Sequence, residues 1–439
     1  MKKIIFYFTF ILIILIGCND KKSGLVSYLE INNKSQIDSI TQTFIDREIY
    51  PFIYTRLEDS NGTVAYENLA KNERLLANEN INGDTWIRIW SMSKIVTICL
   101  ALDLMEDGII SLDDSVTKYI SEFTNLKVAV SQDSTPIAAV NWYEEDSLRE
   151  EPCPVKYVEN DSVMTIVHLL NHQAGFYYST TNINCIDSVI ANENLAMAEN
   201  SQDLINKMAK LPLVQNPGSY YYYGMNTTVL GLLCERATGK TLAQLVKERI
   251  TDPMKIKGLA YDLPDGANML PRFSGKDSIL RIADEGELDI FGQNVPDYRP
   301  EHQLYLGGEG MIATANGYAD FLRMLLNKGT LNGYRFLEES TIDDLTAPHT
   351  QKDNSYGHNG YNLWVSKEPY LEKGRGDKGL WIGGGYEGTH FWIDTKRGFV
   401  GTIMTQMFWV FDGEYGYTKD DRIRGAIYKP WTKIPYTKN

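Results

Sequence analysis

The sequence predicts a mixed α/β protein whose strands gather toward both chain ends around a mostly helical middle, and three observations predict it. Two strand-like runs, Phe52–Leu57 and Thr63–Asn68, are joined by the turn Asp59-Ser60-Asn61-Gly62. Between Val116 and about Lys328 the apolar spacing is mainly helical, broken by loops. From 360 to 409 strand-like runs return, at Tyr361–Val365, Thr389–Ile393 and Val400–Thr405. With 439 residues, 43% hydrophobic and 23% charged, the chain can bury an ample core and is too apolar for large-scale disorder.

Residues 1–17, MKKIIFYFTFILIILIG, place two lysines before an apolar run. A spanning helix needs about 20 apolar residues, and the run from Ile4 to Gly17 is shorter, so it reads as the hydrophobic stretch of a secretory signal. Leu15-Ile16-Gly17-Cys18 resembles the lipobox of bacterial lipoproteins, which implies cleavage there and acylation of the Cys18 thiol and amine. Each buried acyl methylene adds about 0.8 kcal/mol of membrane affinity. The expected location is the bacterial cell envelope, lipid-anchored and facing the periplasm or the exterior. Losing the signal deletes Lys2, Lys3 and no acid, which takes the formal net charge from −14 to −16. Such an acidic body, without a basic patch, argues against a nucleic-acid partner. Residues 18–35 read as a polar tether. Of the remaining cysteines, Cys99 and Cys234 fall in apolar helical patterns as small core residues. Cys153 and Cys185 lie in polar segments, where an exported chain can pair them.

Residues 36–48 carry the first helical pattern, and the strand pair follows. The stretch Asp84–Met105, DTWIRIWSMSKIVTICLALDLM, then organises the chemistry. Ile95, Cys99, Leu102 and Met105 repeat at helical spacing, so an extended lead-in over Trp86–Trp90 feeds a helix beginning near Ser91. Ser91 and Lys94 then stand one turn apart on one face. A serine hydroxyl is a poor nucleophile until a base takes its proton, and an uncharged lysine at this spacing is such a base. Burial and the positive end of the helix both favour that uncharged form. The same helix end can donate a backbone N–H to an oxyanion. The motif alone is weak, because SLDDSVTKYI carries a second copy, Ser115–Lys118, which reads as a solvent-facing cap with Asp113 and Asp114. Ser91 differs in having apolar neighbours on both sides.

The segment from Ser131 to Asp161 reads as a long acidic loop, with Glu144, Glu145, Asp146, Glu150 and Glu151 on a solvated edge. In Thr165–Gly175, TIVHLLNHQAG, His168 and His172 stand at i and i+4. Leu169 occupies the place where a zinc hydrolase helix carries glutamate, and no third ligand is evident. Both histidines therefore read as structural groups bonded to backbone, with no metal and no cofactor expected. Pro217–Gly239, PGSYYYYGMNTTVLGLLCERATG, puts a turn and four tyrosines before a helix faced by Val229, Leu230, Leu233 and Ala237. A phenol near Ser91 and Lys94 can carry a proton to a leaving group, although spacing does not choose among Tyr220–Tyr223. Gly307–Leu326 reads as a glycine-rich turn into a helix packed through Phe321, Leu322, Met324 and Leu325; lacking Gly-Lys-Ser/Thr, it is no phosphate loop. Glycines 383–385 and Gly388 let a backbone or ligand approach closely, and Asp420–Tyr428 reads as a last helix.

These words together resemble the serine β-lactamase and penicillin-binding protein superfamily, especially its class C-like branch with the family VIII carboxylesterases. The matching stretches are Ser91-Met92-Ser93-Lys94, Ser111–Tyr119, Leu169–Gly175, Pro217–Gly218 before Tyr223, Leu230–Gly239, Gly307–Leu326 and Gly388–Asp394. They keep the family's order over residues 36–428. The resemblance implies an antiparallel sheet flanked by helices and formed from both chain ends. A mainly helical subdomain, roughly residues 100–330, would be inserted, all within one serine hydrolase domain over 36–439. It implies Ser91 as nucleophile, Lys94 as its base and Tyr223 as the catalytic tyrosine, with Tyr222 the runner-up. The family's Tyr-x-Asn is not kept, because Met225 stands third and Asn226 one step late. The strand motif that is Lys-Thr-Gly in β-lactamases falls on Gly383-Gly384-Gly385, or is led by Trp381 if one residue is inserted. Gly384, Gly385 and Tyr386 are then the implied oxyanion and substrate-binding positions, the Tyr386 N–H joining that of Ser91.

Without the lysine of that motif, an ion contact worth about 1.5–3 kcal/mol to a substrate carboxylate is lost. The expected activity is an esterase-like serine hydrolase that cleaves an ester or amide through an acyl-serine, on a small molecule or a cell-wall peptide. Its rivals are a D-amino acid peptidase or transpeptidase, a β-lactamase, and, outside enzymes, a catalytically silent binding lipoprotein. Tyr177, Tyr178 and Tyr220–Tyr223 point to a broad apolar pocket.

Overall fold

The computed structural model describes residues 30–139, 155–181, 183–287, 303–350, 357–367, 376–408 and 410–431. The expected signal 1–17, Cys18 with most of the tether, the acidic run from Glu144 to Glu151 and Cys153 lie outside the described residues.

Seven strands form one sheet: β1 (Phe52–Asp59), β2 (Val64–Lys71), β3 (Gly357–Asn359), β4 (Trp364–Ser366), β5 (Trp381–Gly384), β6 (His390–Asp394) and β7 (Phe399–Met404). Their order is β3-β4-β5-β6-β7-β1-β2, and every pairing is antiparallel. The two chain ends therefore meet at β7 and β1, where Tyr54 faces Met404 and Asp59 faces Phe399. The β1–β2 turn closes because the Asp59 carboxylate accepts from the N–H groups of Asn61 and Thr63, each at 2.9 Å.

The principal helices are α1 (Lys34–Asp46), α2 (Ser93–Glu106), α3 (Asn226–Thr238), α4 (Ala315–Leu326) and α5 (Lys419–Tyr428). Both faces of the sheet are covered, and β7 is buried at every position. Successive side chains on a strand point to opposite faces. On β6, Phe391 packs on Tyr318 of α4, whereas Asp394, on the other face, accepts from Tyr428 of α5 at 2.8 Å. The elements between β2 and β3 are mainly helical, so the arrangement implied by the resemblance is the one present.

Several boundaries differ from the expectation. The expected loop from Ser131 to Asp161 instead ends in a strand, Val155–Glu159, which pairs antiparallel with Lys127–Ser131, where the β-branched Val128 and Val130 are buried. Strand β5 escapes a sequence reading because two of its four residues are glycines. Helix α2 is buried all round from Ser93 to Leu104 rather than along one stripe, as suits a helix at the centre of the molecule. Cys99 and Cys234 are free and buried; Cys185 is disulfide-bonded, and its expected partner Cys153 lies outside the described residues. Among the described residues no helix is long and apolar enough to cross a membrane.

Because Leu100 of α2 is wholly buried, Leu100→Ala is expected to lower the unfolding free energy by about 2–5 kcal/mol. Val163→Ala, at a position 67% exposed, is expected to change it by less than about 0.5 kcal/mol. Urea unfolding of the two variants beside the parent chain checks both values.

Candidate active site

Ser91 sits in a tight turn, Trp90–Met92, at the entrance to α2. The extended lead-in is shorter than expected: only Ile87–Arg88 is strand, and Trp90 takes a left-handed backbone, φ +47°. A non-glycine residue held there costs of order 1–3 kcal/mol, so its surroundings must over-determine it. Trp90 is fully buried, with the Arg272 guanidinium 5.0 Å over its ring and the Tyr386 ring meeting it edge-on at 5.6 Å. The turn thereby presents the half-buried Ser91 hydroxyl to a cleft.

Lys94 is completely buried one turn on. Its Nζ donates to Ser91 Oγ at 3.2 Å, Tyr178 Oη at 2.8 Å and the Gly308 carbonyl at 2.8 Å, and lies 3.3 Å from Glu309 Oε1. The loop that brings Gly308 and Glu309 here is clamped to the same helix. Thr97 Oγ1 donates to the Gly307 carbonyl at 2.7 Å, and the Met311 N–H donates to Ser93 Oγ at 3.0 Å. A Cβ on Gly308 would stand 2.9 Å from Thr228 Oγ1 and 3.2 Å from Lys94 Nζ, so the close approach calls for glycine.

Glu309 was not among the sequence candidates. Its carboxylate is wholly buried, accepts from Thr228 Oγ1 at 2.6 Å and is bonded by the Tyr178 hydroxyl. Burial, then the charge of Glu309, push the Tyr178 phenol well above its ordinary range. A signal was present: Glu309 is the single charged residue between Gln303 and Ala319.

Tyr223 Oη donates to Ser91 Oγ at 2.7 Å, whereas Tyr222 instead donates its backbone N–H to the His172 carbonyl at 2.8 Å. Of the two tyrosines left by the resemblance, the structure brings Tyr223 to the serine. Its ring stacks on His172, centroids 4.8 Å apart, and His172 Nδ1 accepts from the Gly224 N–H at 3.3 Å. Burial, then the nearby Lys94, lower His172 to about 3, so it stays neutral. His168 Nδ1 accepts from the Thr165 N–H at 3.2 Å. The two histidines thus serve different backbone segments. Among the described residues no group of three or more His, Cys, Asp or Glu side chains could hold a metal ion.

Met225 is buried, and Asn226 braces the loop before it, accepting from the Ala174 N–H at 3.2 Å and donating to the Phe176 carbonyl at 3.3 Å. Among the described residues no Asn or Gln side chain bonds Lys94; the side chains of Ser91, Tyr178 and Glu309 and the Gly308 carbonyl make its polar contacts. The cleft, about 440 Å³, is lined by Ser91, Tyr178, Ser179, Thr180, Tyr223, Gly384, Gly385 and Tyr386. A Cβ on Gly385 would fall 2.4 Å from the Ile89 carbonyl oxygen, so only glycine lets this segment lie on the Ser91 turn. Trp381 is buried in β5 opposite Ile393 and does not line the cleft, which removes the one-residue-insertion alternative. The broad tyrosine pocket is also corrected: Tyr177 donates inward to the Ile186 carbonyl and Tyr221 meets Trp364, leaving Tyr178 and Tyr223 in the wall. A larger cavity of about 630 Å³, beside Trp86, Tyr261 and Tyr305, holds none of the candidate residues. In the second Ser-x-x-Lys copy, Ser115 caps the Thr117 N–H at 3.3 Å and Lys118 pairs with Asp114 at the surface.

Residues 60–415 match the family model described as Beta-lactamase. The chain is 25% identical over 337 residues to an acyltransferase, mokF, of Monascus pilosus, covering 75% of each chain. It is 24% identical over 409 residues to a lovastatin esterase of Penicillium rubens, covering 85% of this chain and 93% of that one. Among the first curated relatives the matched part spans between 56% and 75% of their own length. The unliganded simvastatin synthase LovD of Aspergillus terreus superposes with a TM-score of 0.70 at 20% identity, covering 91% of this chain and 98% of that one. At that identity the likeness shows the fold.

Two histidines also set a pH dependence. His172, fully buried, and His390, partly buried beside Arg424, are both lowered to about 3, chiefly by desolvation, from an ordinary 6.5. Between those values the unfolded chain binds protons that the fold refuses, so stability is full above about pH 6.5 and falls as pH drops toward 3. The urea midpoint is expected to decline from about pH 7 to 4, and His390→Asn to make that decline shallower by up to one proton.

Proposed function

Since this chain belongs to the beta-lactamase family, we propose that it is a lipid-anchored serine hydrolase of the cell envelope that cleaves an ester, or less readily an amide, through an acyl intermediate on Ser91. One observation carries the reading: Lys94 Nζ and Tyr223 Oη converge on Ser91 Oγ, at 3.2 Å and 2.7 Å, on the wall of a cleft. Lys94 takes the hydroxyl proton as Oγ attacks the carbonyl carbon. The oxyanion lies between the backbone N–H groups of Ser91 and Tyr386, where preorganised donors act at no reorganisation cost. Tyr223 gives its proton to the departing alkoxide and regains one from Lys94. Water repeats the sequence in reverse and releases the acid.

The cleft wall supports an uncharged acyl group. Gly383 stands at the place in the strand motif where β-lactamases carry the lysine that holds a substrate carboxylate, and among the described residues lining the cleft none is cationic. Relatives named for ester cleavage and acyl transfer point to the same substrate class.

Intact-mass analysis after a fluorophosphonate or a p-nitrophenyl ester is the test. The parent chain is expected to gain one adduct and Ser91→Ala none, while Tyr223→Phe is expected to lower kcat by about 10²–10⁴. Equal labelling of the parent and Ser91→Ala, or no labelling of either, would refute the acyl-enzyme reading. Cephalosporin turnover matching that of a short ester would refute the substrate preference.

A further inference from the structure

A scheme built from Ser91, Lys94 and Tyr223 has no need of Glu309, yet its buried carboxylate lies 3.3 Å from the buried Lys94 amine. Tyr178 bridges the pair, with Oη 2.8 Å from Lys94 Nζ and its hydroxyl on Glu309 Oε1. Thr228 donates to the other carboxylate oxygen at 2.6 Å. A carboxylate acting only as counter-ion favours the ammonium, and an ammonium cannot accept the serine proton. The same atoms allow one proton a second resting place.

We propose that Glu309 is the proton store for Lys94 and that Tyr178 relays between them, an inference that rests on the acyl-Ser91 reading. An Nζ–H bond breaks and its proton passes to Tyr178 Oη, while the Oη–H proton passes to Glu309 Oε1. The result is a neutral amine beside a carboxylic acid, with no proton exchanged with water. Lys94 then accepts the Ser91 proton as Oγ bonds to the acyl carbon, and the reverse relay restores the ion pair after turnover. Tyr178 suits the relay because its suppressed acidity keeps it from resting as phenolate. The other titratable groups around the pair are the neutral His172, which senses Lys94, Tyr223 ahead of α3, and Tyr261, which senses both Glu309 and Glu235. Among the described residues Glu309 is the one carboxylate within ion-pair distance of Lys94.

The test is ester hydrolysis from about pH 5 to 10 by the parent chain, Glu309→Gln and Glu309→Asp, with circular dichroism and the intact-mass adduct recorded for each. The parent is expected to show kcat/KM independent of pH while the pair keeps its one proton. In Glu309→Gln the lysine must shed its proton to water, so kcat/KM is expected to fall about tenfold or more near pH 7 and to recover about tenfold per unit as pH rises. Glu309→Asp restores an acceptor and is expected to be slower but flat. A Glu309→Gln profile parallel to the parent's, or higher activity at acid pH, overturns the store and leaves Glu309 a counter-ion. Should Glu309→Gln not fold, Tyr178→Phe decides: an unchanged kcat, or a loss carried by KM, overturns the relay, and a loss of about tenfold in kcat at an unchanged KM and an unchanged profile supports it. Absence of any Ser91 adduct in the parent overturns the acyl-enzyme reading and the store with it, whereas an adduct with parallel profiles overturns the store alone.

Discussion

A fully buried lysine amine dictates how the centre of this molecule is built. Removing one partner of a buried ion pair costs about 3–5 kcal/mol, so the fold must bring Lys94 its polar partners from elsewhere in the chain. It does so with a single loop. Gly308 and Glu309 come to the amine because Thr97 and Ser93, on the same helix as Lys94, bind the loop at Gly307 and Met311. Tyr178 closes the arrangement from a third segment. Helix α2 therefore carries Lys94 and the contacts that hold its environment, and the turn at its entrance carries Ser91.

Close approach of backbone to backbone does the same on the other side of the serine. Gly385 lies on the Ile89 carbonyl, and the loop it begins lends Tyr386 to the cleft wall and to the edge of Trp90. Trp90 holds a strained backbone beneath Arg272, and the Arg272 guanidinium is paired in turn with the buried Glu387 carboxylate. One guanidinium thus links the Ser91 turn to the segment proposed to hold the oxyanion. Strain at one residue and the absence of side chains at its neighbours are two parts of one geometric demand.

Residue type and local spacing by themselves determined the helix that bears Lys94 and follows Ser91, the strand pairs at both chain ends, the capping role of the second Ser-x-x-Lys copy and the backbone duties of His168 and His172. Those features depend on neighbours a few positions away, which periodicity and turn chemistry record. The family resemblance narrowed the tyrosines to two. Only the tertiary structure chose Tyr223 over Tyr222, excluded Trp381, and turned most of the tyrosine cluster away from the cleft, because which face a side chain shows depends on the loop it follows. Glu309 lies 215 positions from Lys94 along the chain, and no local pattern reports a contact of that kind. Packing alone brought that carboxylate to the amine, because a buried charge takes its partner from whatever segment the fold lays beside it.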